Sequence, residues 1–152
     1  MALTCHLSHA QDALFKQYEN MKGVSTVFIS KNMLSLMPEM EAGGMDISKI
    51  ARKLDCIQIL DCERPSLIPA IKKQAVAYYK KHQYEQIMQM NDDDEHTAIY
   101  CKPIGKGKNE FVLLNEEADE IQIVCIVGTI SLNDIKAITD WVIIDAAPFI
   151  SY

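Results

Sequence analysis

From residue 84 to residue 127 the chain reads YEQIMQMNDDDEHTAIYCKPIGKGKNEFVLLNEEADEIQIVCIV. This stretch decides the fold. Before it, apolar residues recur at a period near 3.6; inside it they recur at a period of 2, the mark of half-buried strands. Glu120–Val127 alternates most clearly, with Ile121, Ile123, Cys125 and Val127 on one face. His96–Ile104 is a second strand, with Thr97, Ile99 and Cys101 together. Gly105 to Asn109 carries the glycines of a hairpin loop, and Glu110–Leu114 returns from it. Asn115 to Asp119 turns once more. Asn91-Asp92-Asp93-Asp94-Glu95 is an acidic break. Tyr84–Met90 alternates imperfectly, and its periodicity fits helix or strand.

Working outward, Leu67–Lys81 predicts the longest helix, with Leu67, Ile71, Ala75 and Tyr78 or Tyr79 inward and lysines outward. Cys56–Asp61 predicts a strand with Ile57 and Ile59 on one face. Asp46 caps a predicted helix over Ile47–Leu54. Glu39–Met45, with Gly43-Gly44, reads as a loop. Val24–Ser30 is a nearly continuous β-branched and apolar run, which predicts a central strand covered on both faces. Short helices are predicted over Lys31–Met37 and over Asp12–Met21, where Leu14, Tyr18 and Met21 share a face. Ser131 caps a closing helix to about Thr139 with Leu132, Ile135 and Ile138 packing. The sum is an α+β domain: short helices and two early strands, then an antiparallel meander and a closing helix, with helices packed on a mainly antiparallel sheet.

The chain has 152 residues, 49% apolar and 24% charged, with net charge −6. That suits one globular domain without metal or disulfide support. An acidic chain lacks the basic face that nucleic acid requires, and no apolar run reaches the length of a membrane span. Residues 1–10 carry no Asp, Glu, Lys or Arg. Ser8-His9-Ala10 places small residues at −3 and −1 of a cut after Ala10, as in a secretory signal, although the basic and apolar parts of such a signal are missing or truncated. We read 1–10 as a signal remnant or a disordered tail, and 11–152 as the domain. Cleavage would leave a periplasmic or secreted protein with four cysteines; without it the protein is cytoplasmic. Cys56, Cys62, Cys101 and Cys125 are expected as buried thiols, with Cys101 and Cys125 facing one core. A Cys101–Cys125 bridge, or pairing of Cys56 and Cys62 with other partners, stays open under export. Cys56 and Cys62 should not join each other, since an extended strand holds them roughly 20 Å apart.

Phe15-Lys16-Gln17-Tyr18, Gly23 through Leu34, Ile57-Gln58-Ile59-Leu60 with Cys62, Tyr84 through Met88, Ile99-Tyr100-Cys101-Lys102 and Ser131 through Ile135 follow one another in an order that resembles DUF4252, a bacterial domain family of unknown function. The resemblance implies export in Gram-negative, Bacteroides-type bacteria, and a weak link to envelope signalling through sigma-factor systems. It favours a strand at Tyr84–Met90 and carries no catalytic residues.

Chemistry-bearing motifs are sparse. Asp92-Asp93-Asp94-Glu95 beside His96 lacks the alternating ligands and glycine of a calcium loop, so a solvated turn is expected. His82 and His96 have no clustered third ligand for zinc. Gly105-Lys106-Gly107-Lys108 lies between strands, so a phosphate loop is not expected. The serines form no nucleophile elbow. Met33, Met37, Met40, Met45, Met88 and Met90 are expected mainly as core fillers, with an adaptable binding face as the alternative. No cofactor is assigned. The apolar end of the chain, with Trp141, Val142, Ile143, Ile144, Phe149 and Tyr152, is the expected partner contact. The expected role is a non-enzymatic envelope domain that binds a protein or ligand. A small enzyme with a site dispersed over loops, and a cytosolic interaction domain, are the alternatives.

Overall fold

The computed structural model describes residues 9–35, 41–42, 45–46 and 52–135. The predicted helix over Ile47–Leu54 lies outside them, apart from its last residues. Leu54 opens a strand instead.

Among the described residues, eleven elements precede the start of the closing helix. They are α1 (His9–Tyr18), β1 (Val24–Ser30), α2 (Lys31–Ser35), β2 (Glu41–Ala42), β3 (Met45–Asp46), β4 (Leu54–Cys62), α3 (Ile68–Lys81), β5 (Glu85–Asp92), β6 (Glu95–Gly105), β7 (Lys108–Glu116) and β8 (Ile121–Gly128). Six strands form one antiparallel sheet in the order β1-β4-β8-β7-β6-β5. The fold is α+β, with the sheet dominant and the helices small. The tiny β2–β3 pair replaces part of the expected loop over Glu39–Met45.

The meander β5–β8 is antiparallel because its connections are too short for any crossover. The β6–β7 turn is Lys106-Gly107, both at positive φ, as a two-residue type I′ hairpin requires. Strand β8 pairs with β7 on one side and with β4 on the other. This places β4 inside the sheet, between β1 and β8, buried along almost its whole length. The central position expected of β1 belongs to β4. Strand β1 is an edge strand, and Phe28 on it is 56% exposed. An unbroken apolar run reports burial on two faces only where the neighbouring strands exist to supply it.

Each face of the sheet carries its own core. On one face α1 and α3 cover Leu60, Val112, Ile121, Ile123 and Cys125, and Leu14, Phe15, Tyr18, Ile71, Ala75 and Tyr79 supply the helical side. The burial of Tyr79, not Tyr78, sets the α3 register. On the other face Ile57, Ile59, Phe111, Leu113, Val124 and Ile126 pack with Leu34 of α2 and with Ile130 and Ile135. Residues 132–135 are helical, so the closing helix begins as expected. Its start is capped by Asp134, whose Oδ2 accepts from the Ser131 backbone N–H at 3.0 Å and from the Ser131 hydroxyl at 3.2 Å. That N–H, helped by Lys53, holds the Asp134 carboxyl below the usual range. Leu132, expected to pack, is exposed, and Ile138 lies outside the described residues.

The cysteines differ from expectation. Cys62, Cys101 and Cys125 are free, but Cys56 is disulfide-bonded. Cys101 and Cys125 sit on opposite faces of the sheet, so no bridge joins them. The two-residue alternation of each strand sets this: Cys101 pairs with Phe111, whereas Cys125 pairs with Val112, one residue on.

Candidate functional site

Two places combine accessibility with chemistry. The first is the β5 side of the sheet. Helix α3 does not reach across β5, so the strand is exposed along most of its length. Between α3 and β5–β7 lies a cleft of about 560 Å³, lined by Lys72, Val76, Gln86, Gln89, Tyr100 and Glu116 among others. Lys72 donates to the Glu116 carboxylate at 2.9 Å and ties the helix to β7 at the cleft wall. On the opposite face of β5, Met88 and Met90 are 41% and 49% exposed. They are not core fillers, and Met33 is exposed as well. Met37 and Met40 lie outside the described residues. Ile87 forms a bulge between Gln86 and Met88 and turns inward against the core. From Met88 to Asp92 the edge runs regularly.

The backbone of that run follows from its turn. Asp92 and Glu95 close a two-residue connection, Asp93-Asp94. They form a hydrogen-bonded pair, so alternation directs the main chain of Met90 and Met88 toward β6 and that of Asn91 and Gln89 outward. The acidic run is thus a solvated turn, as expected, and His96 Nδ1 lies 2.9 Å from Asn91 Oδ1 across it. His82 packs against the Tyr78 ring, 4.2 Å between centroids.

The second place is the far end of β4. Asp61, Glu63 and Glu120 each bring a carboxylate oxygen to within 4.8 Å of the others. Asp61 is 1% exposed, and its Oδ1 has no hydrogen-bond partner among the described residues. Burial pushes its carboxyl up to about 8, and the Glu120 and Glu63 carboxylates add to the shift. Reading along the sequence missed this trio, because Glu120 is 57 positions from Glu63; only the antiparallel register of β4 with β8 unites them. The one local signal was the Asp61-x-Glu63 spacing, which puts both side chains on one face of a strand.

A third buried acid, Glu110, lies inside the sheet on the α1/α3 face. Burial raises its carboxyl, while Tyr84 and Lys102 act the other way. Neither Glu110 nor Asp61 lines the cleft. The expected contact residues Trp141, Val142, Ile143, Ile144, Phe149 and Tyr152 lie outside the described residues. No helix among the described residues is long and apolar enough to cross a membrane.

These features define a small α+β domain built on an antiparallel sheet with an open, accessible edge at β5. Residues 18–138 match the family model of a domain of unknown function, DUF4252, and the chain belongs to that family. No curated protein and no solved structure matches it.

Proposed function

We propose that this protein is an exported, non-enzymatic domain of the bacterial envelope that holds an extended segment of a protein partner along β5. The observation that carries the reading is the open edge at Met88–Asp92, with outward backbone groups at Gln89 and Asn91. Such an edge is a template for strand addition. Proteins usually blunt such edges with Lys or Pro; β5 has neither, and its bulge at Ile87 lies to one side of the open run. The exposed Met88 and Met90 supply adaptable apolar contacts on one face, and the α3 cleft supplies room on the other. A catalytic reading would want a perturbed acid inside the cleft, and the two buried acids lie elsewhere.

Export rests on the family resemblance; a cut after Ala10 would leave the disulfide-bonded Cys56 with only the free Cys62, Cys101 and Cys125 as companions in the chain. Helix α1 begins at His9, so a cut after Ala10 would fall in its first turn. On the family resemblance we assign this domain a part in envelope signalling linked to a sigma-factor system.

The test places a photo-crosslinking amino acid at Gln89 or at Lys73, on the far side of α3, in native cells. We expect one discrete adduct from position 89 in the envelope fraction and none from 73. Gln89→Pro removes an outward N–H without touching the β6 ladder, and should abolish capture at a second probe placed at Met90 while leaving the circular dichroism unchanged. Equal adducts from both positions, or capture that survives Gln89→Pro, would overturn the reading.

A further inference from the structure

We infer that Asp61, Glu63 and Glu120 form a calcium site at the end of the β4–β8 pair. This inference is independent of the β5 reading.

Strand register brings the three acids together. Cys62 pairs with Ile121, and Asp61 pairs with Gln122 on β8 and with Ser25 on β1. Glu63 and Glu120 extend those two strands by one residue each, so they face one another beyond the last pair. Asp61 and Glu63 are two residues apart and share a face, as strand alternation demands. Three carboxylates therefore converge within 4.8 Å.

No basic side chain among the described residues neutralises them; Asp61 instead holds its proton to about pH 8, hydrogen-bonded to the Glu120 carboxylate. The recorded ion pairs take Lys31 and Lys108 to Asp55, Lys53 to Asp134 and Lys72 to Glu116. Arg64, the nearest guanidinium in the chain, donates through Nε to the Ser66 hydroxyl at 3.1 Å. Among the described residues, none of the three acids makes a salt bridge.

A separate observation points to a ligand. Asp61 is 1% exposed, yet its Oδ1 has no donor among the described residues. A buried carboxyl oxygen without a donor is costly, and a cation that displaces the Asp61 proton and is shared with the two glutamates removes that cost. Glu63 is exposed and Glu120 half-buried, so the site opens to solvent on one side. That leaves room for water ligands.

The donor set selects the metal. All three donors are hard carboxylate oxygens, with no nitrogen or sulfur among them, which disfavours zinc and copper. Magnesium sites typically use one or two carboxylates and demand strict octahedral geometry. Three carboxylates converging from two strands, with hydroxyl and amide side chains at the neighbouring register positions, suit calcium. Oxygen–calcium distances of about 2.3–2.6 Å allow ligand oxygens to stand up to about 4.6–5.2 Å apart.

The experiment is calorimetric titration of the full chain with calcium chloride, after chelator treatment, beside thermal unfolding with and without the ion. We expect one saturable site with Kd on the order of 0.1–1 mM, the range of exposed extracellular modules, and a rise in Tm on saturation. Glu63→Gln, an exposed change that leaves the core untouched, should weaken binding about tenfold or more; Asp61→Asn should abolish it. If the buried Asp61→Asn variant fails to fold, Glu63→Gln and Glu120→Gln decide the matter. Absence of saturable heat would overturn the inference, as would unchanged affinity in Glu63→Gln. So would magnesium binding as tight as calcium, or loss of calcium binding on replacing Asp93 and Asp94 in the β5–β6 turn.

Discussion

Gly128 closes β8 against the start of β4, and replacing it with alanine tests how tightly the middle of the sheet is built. A β-carbon at Gly128 would overlap the Lys53 carbonyl oxygen and stand 2.9 Å from Leu54 Cα and 3.1 Å from Lys53 C. All three obstacles are backbone, so no side-chain rotation relieves them. The turn at residues 52–54 would have to retreat by about 1 Å, since ordinary contacts between heavy atoms need about 3.5 Å or more. That retreat strains the bond from the Thr129 N–H to the Lys53 carbonyl, now 2.9 Å. It also disturbs the Lys53–Asp134 ion pair at 3.3 Å. Overpacking of this kind costs about 1–3 kcal/mol, and the weakened hydrogen bond adds about 1 kcal/mol. The lower entropy of the unfolded alanine chain returns about 0.4–1 kcal/mol. The net expectation for Gly128→Ala is a loss of about 1–4 kcal/mol, centred on about 2–3. Urea unfolding followed by circular dichroism should show a lower midpoint at unchanged slope. The Tm should fall by about 4–12 °C, at about 2–4 °C per kcal/mol for a chain this size. Gly107→Ala is the comparison. It meets no atom within 4 Å, but its φ of +72° is strained for alanine, so its cost should be only about 1–2 kcal/mol. A Gly128→Ala protein as stable as the wild type, or less perturbed than Gly107→Ala, would refute the close-approach argument.

Gln83 ends α3 at φ +63°, where Tyr84 N–H reaches back to the Tyr79 carbonyl at 3.0 Å. Gln83→Gly should therefore stabilise by about 0.5–1 kcal/mol, read as a higher urea midpoint. Glu110 has a folded carboxyl pKa above its ordinary value of 4.5. The folded state thus holds the proton longer, and the protonated acid's advantage, full below about 4.5, is lost as pH rises through the raised value. Glu110→Gln should flatten that decline, giving a stability gain over wild type that grows with pH in urea titrations at pH 4, 6 and 8. Under non-reducing conditions in denaturant, alkylation should label Cys62, Cys101 and Cys125, whereas Cys56 should take label only after reduction; mass mapping reads this directly.

Much of the meander was legible along the chain. Strand alternation at Ile121, Ile123 and Cys125, the glycine turn at Gly105–Gly107 and the cap at Ser131 each depend on residues within a few positions of one another. Such signals survive without knowledge of the rest. The imperfect alternation of Tyr84–Met90 has a local cause too: the bulge at Ile87 puts two neighbouring residues on one side of the strand and breaks the period. The exposure of Met88 and Met90 was not legible, because nothing in their neighbourhood says that α3 stops short of β5. The sequence marked Asp92–Asp94 as its densest acids, yet the acids that converge are Asp61, Glu63 and Glu120.

By itself, then, the sequence determined β1, the body of β4, the long helix α3, the antiparallel hairpins of β6–β8 and the family. These follow from turn chemistry and from the repeat of apolar residues along one short segment. Only the tertiary structure decided that β4 is central and β1 an edge, that Cys101 and Cys125 are separated by the sheet, and that three distant carboxylates share one corner. Those facts depend on which strand lies beside which, and strand order is set by long-range burial that leaves no period in the chain.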